Sequence, residues 1–388
     1  MRMLPDNPSV DFLRREAKDL LASLRENAPA TTLAQAQRAL AHEYGAASWT
    51  GLRREVDRRR EHPPVAPPDL GPAIATAFGL GDPQRIAPIS YDFMGRSWSL
   101  DTTRGRYLLS PVFAYIDDTQ AAVGVDLLDR ARPHGVLSPV AVRDPDGRLV
   151  HRIDDQSWRV DEWLDMGPTP IQPIRAAVAR RAGEILAIVH SVGGPTDKPM
   201  PPYLTSRHGT SYWDELQDRA EAAGRLVPEL ATLRPSIDAL LQIEADPATV
   251  GPRVMSLCDF SLGAVRYGPA DDLVVVHSAF TSGMVPAWEL GYVLTHWALF
   301  GRVNPLAARA LLGGYGEQAG ALPELTLESF TLGIGGYINW TYNAFCEAIS
   351  ADDTEKSAFA DLSIREVIDD PLTVEKLELL LASLRPVA

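Results

Sequence analysis

The chain has 388 residues, room for two to three domains at roughly 150 residues each, and its 45% apolar and 23% charged content supports a packed core. With 37 basic and 51 acidic residues its net charge is −14, which argues against a phosphate-backbone partner, because nucleic-acid binders carry a basic footprint. No apolar run approaches the ~20 residues of a bilayer span, the first residues show no secretory signal, and Cys258 and Cys346 make neither a disulfide framework nor a Cys-rich zinc site. A cytoplasmic, reducing setting without a membrane partner is therefore expected.

Residues 1–60 read as a small helical domain. Phe12, Leu13, Ala17, Leu20, Leu21 and Leu24 recur at helical spacing behind Ser9 or Asp11 as N-cap. Leu33, Ala36, Ala39 and Leu40 form a second stripe that stops at Gly45, and Ser48 opens a third helix with Trp49, Leu52 and Val56 on its apolar face. Residues 61–72 form a Pro-rich linker. Residues 73–165 are β-rich. A hairpin is expected around Thr102-Thr103-Arg104-Gly105, then an Ala-rich helix over about 119–132. A second hairpin over 136–154 would turn at Asp144-Pro145-Asp146-Gly147, and Gln156–Leu164 would be a further strand. Residues 166–388 are helical, interrupted by a β hairpin around Gly268-Pro269-Ala270-Asp271-Asp272. A β-rich half followed by an α-rich half is a two-lobed plan.

Several segments, over roughly residues 85–350, resemble the aminoglycoside phosphotransferase family, whose fold is related to the protein kinases. Leu257-Cys258-Asp259-Phe260-Ser261-Leu262-Gly263-Ala264 aligns with the family's His-Gly-Asp-x-x-x-x-Asn catalytic loop. Val275-Val276-His277-Ser278 ends the following hairpin. Val285-Pro286-Ala287-Trp288-Glu289-Leu290 is similar to the family's Asp-Pro-Ala-Trp-Asp-Leu segment, and Ala182–His190 to its Leu-Ala-x-Leu-His helix. The first sixty residues resemble a helical unit found before some bacterial ankyrin-repeat and phosphotransferase-like proteins. The resemblance implies an α+β, bilobal, protein-kinase-like fold preceded by a small helical domain.

The same resemblance supplies a list of parts that this chain mostly lacks. Phosphoryl transfer needs a phosphate-gripping lysine, a glutamate to orient it, two metal-binding side chains and a catalytic aspartate. Only Lys18, Lys198, Lys356 and Lys376 occur, so no lysine lies in the N-lobe; the lysine position falls on Ser110, with Arg106 four residues earlier. The glutamate position falls near Gly124, with Asp126 the nearest carboxylate. The asparagine is Ala264, and the metal-binding aspartate is His277, whose imidazole suits zinc or copper better than magnesium. Tyr91–Ser97, where the family carries its nucleotide-covering loop, has a single glycine. Asp161–Asp165 resembles the interlobe hinge.

No cofactor-binding or metal-ligating residue is therefore assigned. Asp259, His277 and Cys258 are the candidate catalytic residues, since an imidazole beside a carboxylate is an acid–base pair. Core packing for His277 and Cys258, and a loop-capping role for Asp259, are the structural alternatives. The expected function is a phosphotransferase-like pseudokinase whose interlobe cleft takes a small-molecule or peptide ligand in bacterial specialised metabolism, such as natural product or antibiotic biosynthesis. Its enzymatic version transforms that ligand by acid–base addition or cyclisation. The alternatives are an active antibiotic or small-molecule O-phosphotransferase using ATP, and a non-catalytic scaffold for a partner biosynthetic protein.

Overall fold

A computed structural model describes residues 3–6, 8–92, 94–243, 251–269, 272–276, 280–299, 302–350 and 354–385. In chain order it begins with helices α1 (Val10–Asn27), α2 (Leu33–Glu43), α3 (Trp49–Glu61) and α4 (Leu70–Ala77). Strands β1 (Pro83–Asp92), β2 (Gly95–Thr102) and β3 (Gly105–Val112), helix α5 (Asp118–Ala131), and strands β4 (Val150–Ile153) and β5 (Gln156–Glu162) follow. Next come α6 (Ala176–Gly193), α7 (Pro202–Thr205), α8 (Thr210–Ala223), α9 (Val227–Leu241), β6 (Val254–Ser256), β7 (Val265–Tyr267), β8 (Leu273–Val275) and β9 (Ser282–Met284). The chain ends with α10 (Pro286–Leu294), α11 (Pro305–Ala319), α12 (Thr331–Ser350), α13 (Thr354–Asp369) and α14 (Val374–Leu384). Among the described residues no helix is long and apolar enough to cross a membrane.

The chain divides into two compact units, one made of Arg2–Thr169 with Ala264–Thr281, the other of Pro170–Gly263 with Ser282–Ala388. In the first, the three expected N-terminal helices form with caps that satisfy their free N–H groups. Ser9 accepts from the Phe12 N–H, Ser48 from the Gly51 N–H, and Thr32 and Gln35 make a reciprocal capping box. Leu13, Ala41, Leu52 and Val56 close a small core between them.

Helix α4 is a correction: Leu70–Ala77 is helical where a linker was expected to run to residue 72. Pro72 sits in the first turn, where its missing N–H costs nothing, and Leu70, Ile74 and Ala75 bury against Trp98, Leu100, Leu109 and Trp158 of the sheet. The sheet is antiparallel with order β1-β2-β3-β5-β4. The hairpin through Thr103-Arg104 forms as expected, with Thr102 opposite Gly105.

The expected hairpin over 136–154 does not form. Only Val150–Ile153 is a strand there, and it pairs with β5. The Asp144 carboxylate takes the Asp146 and Arg148 N–H groups into a closed turn. Asp118 of α5 takes the Leu149 and Val150 N–H groups, removing donors a hairpin ladder would need. The segment before the turn lies along β5 instead, through Val142 N–H to Val160 O at 2.9 Å and Glu162 N–H to Val140 O at 2.8 Å. The β7–β8 hairpin joins this unit through the Val275 N–H to Leu137 O bond at 2.9 Å.

In the second unit, α6 and α11 cross at close range. A Cβ added at Gly183 would overlap the Leu311 carbonyl oxygen, and one at Gly314 the Arg180 carbonyl oxygen. Gly183→Ala is therefore expected to lower stability by about 1–3 kcal/mol, because two backbones must separate. Calorimetric melting checks this, and an unchanged melting temperature would contradict the close crossing.

Candidate functional site

The Ala182–His190 helix and the Val285–Leu290 segment meet through a buried polar chain. The Glu289 side chain, 0% exposed, accepts from the Ser256 hydroxyl at 2.7 Å and bonds His190 Nε2 at 2.8 Å. His190 Nδ1 bonds the Tyr315 hydroxyl at 2.9 Å. Burial, with the Glu289 charge nearby, pushes the Tyr315 phenol up to about 12. Every polar atom of this chain that is taken from water has a partner, which is what makes it a rigid support rather than a weakness. Ser256 ends β6, so the network fixes the backbone three residues before Asp259.

The chain then turns sharply. The Asp259 N–H donates to Leu257 O at 2.7 Å, closing a three-residue turn with Cys258 at φ 60°. This left-handed conformation costs a residue with a Cβ on the order of 1 kcal/mol. Cysteine therefore holds this turn at the expense of strain that glycine would avoid. Cys258 is 4% exposed. Burial first, then the Glu289 and Asp259 charges, raise its thiol well above the usual range. It is a packed thiol and not an activated nucleophile.

Asp259 leaves the turn with its Oδ1 accepting from the Ser261 N–H and from the Tyr292 hydroxyl, each at 3.1 Å. Among the described residues Oδ2 accepts no hydrogen bond. Tyr292 lies on α10, and His296 follows four residues later in a π-helical turn, Thr295–Leu299, with the two rings 4.7 Å apart. Burial raises the Tyr292 hydroxyl well above its usual value, and the Asp259 charge adds to it. Burial lowers the His296 imidazole to about 4, with Asp259 opposing. At neutral pH the phenol that donates to Asp259 and the neighbouring imidazole are thus both neutral.

Tyr292 and His296 were missed in the sequence. Tyr292 is one of several buried aromatics of the helical region, with Trp288, Trp297 and Tyr337. The available signal was the i, i+4 spacing of a tyrosine and a histidine just beyond the Pro-Ala-Trp-Glu segment. His277 lies outside the described residues. Ala264, at the asparagine position, is 0% exposed and carries no ligand atom.

Within the sheet unit, Ser110 stands opposite Arg159 in the β3–β5 register. Arg159 is thus a cation on the strand beside the one searched for a lysine. It is already engaged: its Nη2 lies 3.0 Å from Asp161, with side-chain exposures of 7% and 3%. Arg132 pairs with Asp129 at 2.8 Å. Arg106 pairs with Asp101 at 3.3 Å and stacks 3.8 Å over the Trp163 ring. Asp129, Arg132, Arg159, Asp161 and Val275 line a recess with room for about one water molecule. These residues do not fit a magnesium–nucleotide, because the cations that would meet phosphate are held by carboxylates of the same unit. Among the described residues no group of three or more His, Cys, Asp or Glu side chains could hold a metal ion.

No protein-family model matches the chain, and no curated protein matches its sequence. Solved structures do match in fold. An aminoglycoside phosphotransferase from Alicyclobacillus acidocaldarius superposes with a TM-score of 0.50 at 14% identity, covering 84% of this chain and 97% of its own. An AMP-bound spectinomycin phosphotransferase gives 0.55 at 11% identity, over 83% and 100%. A microcompartment-associated aminopropanol kinase gives 0.51 at 14%, over 81% and 98%. The α+β, kinase-like fold expected from the sequence is the fold observed, with helices preceding it.

His296 gives a pH test. Its folded value near 4 lies below the usual 6.5, so its contribution to stability is full above about 6.5 and is lost as pH falls through 4. His296→Gln should flatten the fall in melting temperature over that window, and NMR of the ring should show it neutral at pH 6. A ring that titrates near 6.5 would contradict the enclosure of this side chain.

Proposed function

We propose that this protein is a phosphotransferase-like pseudokinase whose Asp259 site binds a small molecule or modified peptide in bacterial specialised metabolism and moves a proton on it. The observation that carries this reading is the contrast within one fold. The catalytic-loop carboxylate is retained in a hydrogen-bonded constellation, whereas among the described residues Ser110 and Ala264 carry neither a cation nor a metal ligand and Arg132 and Arg159 are paired with aspartates.

Asp259 is the base in this scheme, with Oδ2 open to a hydroxyl or amine of the ligand. The Tyr292 phenol, held on Oδ1, orients the carboxylate and keeps the proton from returning to the wrong oxygen. His296, neutral at working pH, lies with its ring 4.7 Å from that of Tyr292. The proton that Asp259 removes passes to the atom that gains negative charge as the new bond forms. An addition or cyclisation therefore balances without a co-reactant. His277, outside the described residues, is kept as a further acid–base candidate on the sequence resemblance alone. Cys258 is given a packing role in place of a nucleophilic one.

A second reading, ATP-dependent O-phosphorylation, is favoured by the fold's likeness to a spectinomycin phosphotransferase and an aminopropanol kinase. A third is a cytoplasmic scaffold for a partner biosynthetic protein.

Variants in the natural host separate them by metabolite profile. Asp259→Asn is expected to cut product by about 100-fold or more, the usual contribution of a general base, and Tyr292→Phe by less. Cys258→Gly, which suits the φ of 60°, should leave product intact. An unchanged profile in Asp259→Asn would favour the scaffold, and a phosphate ester on a product lost in that variant would establish the second reading.

A further inference from the structure

The N-terminal segment joins two parts of the sheet unit that are far apart in sequence. Leu4, 4% exposed, belongs to the helical core with Leu13, Leu52 and Val56. Its carbonyl oxygen accepts from Arg59 Nη1 at 2.5 Å, so α3 holds it in place. Two residues later the chain has crossed to the sheet. The Asp6 N–H donates to Ile89 O of β1 at 3.0 Å. Its carboxylate receives Arg96 Nε at 2.6 Å and Nη2 at 3.3 Å.

This is not an ordinary surface ion pair. The side-chain exposures are 13% for Arg96 and 4% for Asp6, so water screens it little and loss of either partner strands a buried charge. The guanidinium is also flanked by the Tyr91 ring at 5.3 Å and the Trp98 ring at 5.8 Å. Arg96 directly follows Gly95, whose φ of 124° makes the β1–β2 turn, and Tyr91, Ile89 and Trp98 flank that turn on both strands. Asp6 therefore grips both strands of one hairpin, β1 through its N–H and β2 through its carboxylate.

We propose that Leu4–Asp6 is a strap through which the N-terminal helical bundle holds the β1–β2 turn in a fixed position. The bundle is then a control element for that turn. Whatever loosens the bundle or draws Asp6 away releases the hairpin. This inference does not depend on the chemistry assigned to Asp259.

Hydrogen–deuterium exchange on the full-length protein tests it. In Asp6→Ala, amides between Ile89 and Trp98 should exchange about tenfold faster or more, while those of α6 and α11 keep their wild-type rates. Asp6→Asn, which keeps the side chain's size and its backbone donor, should give a smaller acceleration in the same peptides. Leu52→Ala, which opens a cavity in the bundle, should also speed the turn. Unchanged turn exchange in both Asp6 variants would overturn the strap. A turn that ignores Leu52→Ala while the bundle loosens would overturn its control by the bundle.

Discussion

The Glu289 carboxylate is the constraint on which the candidate site depends. An ionisable group with no solvent exposure is tolerated only when its oxygens are hydrogen-bonded, and here one oxygen takes the Ser256 hydroxyl and the other His190 Nε2. The three groups come from α10, the end of β6 and α6, so satisfying one carboxylate pins three elements together. Ser256 then fixes where the following turn starts, and the positive φ at Cys258 sets the direction in which Asp259 emerges. Tyr292 rises from the same helix as Glu289, three residues on, and meets Asp259 at 3.1 Å. The support and the Asp259 carboxylate are thus parts of one framework.

A second regularity runs through the sheet unit. Arg96, Arg106, Arg132 and Arg159 are each matched by an aspartate of the same unit: Asp6, Asp101, Asp129 and Asp161. In the nearly buried Arg96–Asp6 and Arg159–Asp161 pairs an anionic ligand must first displace a carboxylate that is already desolvated, whereas the Arg106–Asp101 and Arg132–Asp129 pairs are half-exposed and hold their guanidinium groups only weakly. A chain of net charge −14 adds no long-range attraction for a polyanion.

Much of the fold could be read from local signals. Ser9, Thr32 and Ser48 announce their helices, and the alternation around Thr103-Arg104 announces β2 and β3. Helix α4 was hidden because its eight residues follow a proline-rich stretch and depend on the sheet for burial. The false hairpin over 136–154 followed from a good turn sequence; the turn exists, but Asp118, some thirty residues earlier, claims the donors that its second arm needed. Asp259 was legible through its motif. Tyr292 and His296 were not, because an aromatic stripe on a helix looks the same whether it fills a core or reaches a carboxylate. Arg159 escaped notice because a missing lysine was sought on one strand, and cross-strand register is invisible until the sheet is built. Asp6 and Arg96, 90 residues apart, leave no local trace at all.

The most direct measurement is calorimetric titration of the intact protein with ATP and magnesium. The proposed pseudokinase reading, with Arg159 engaged by Asp161 and Ala264 at the asparagine position, predicts no saturable heat at millimolar nucleotide, in the presence or absence of the metal. Saturable binding at micromolar concentration that requires magnesium would contradict the account, because groups other than those identified would then be holding the triphosphate.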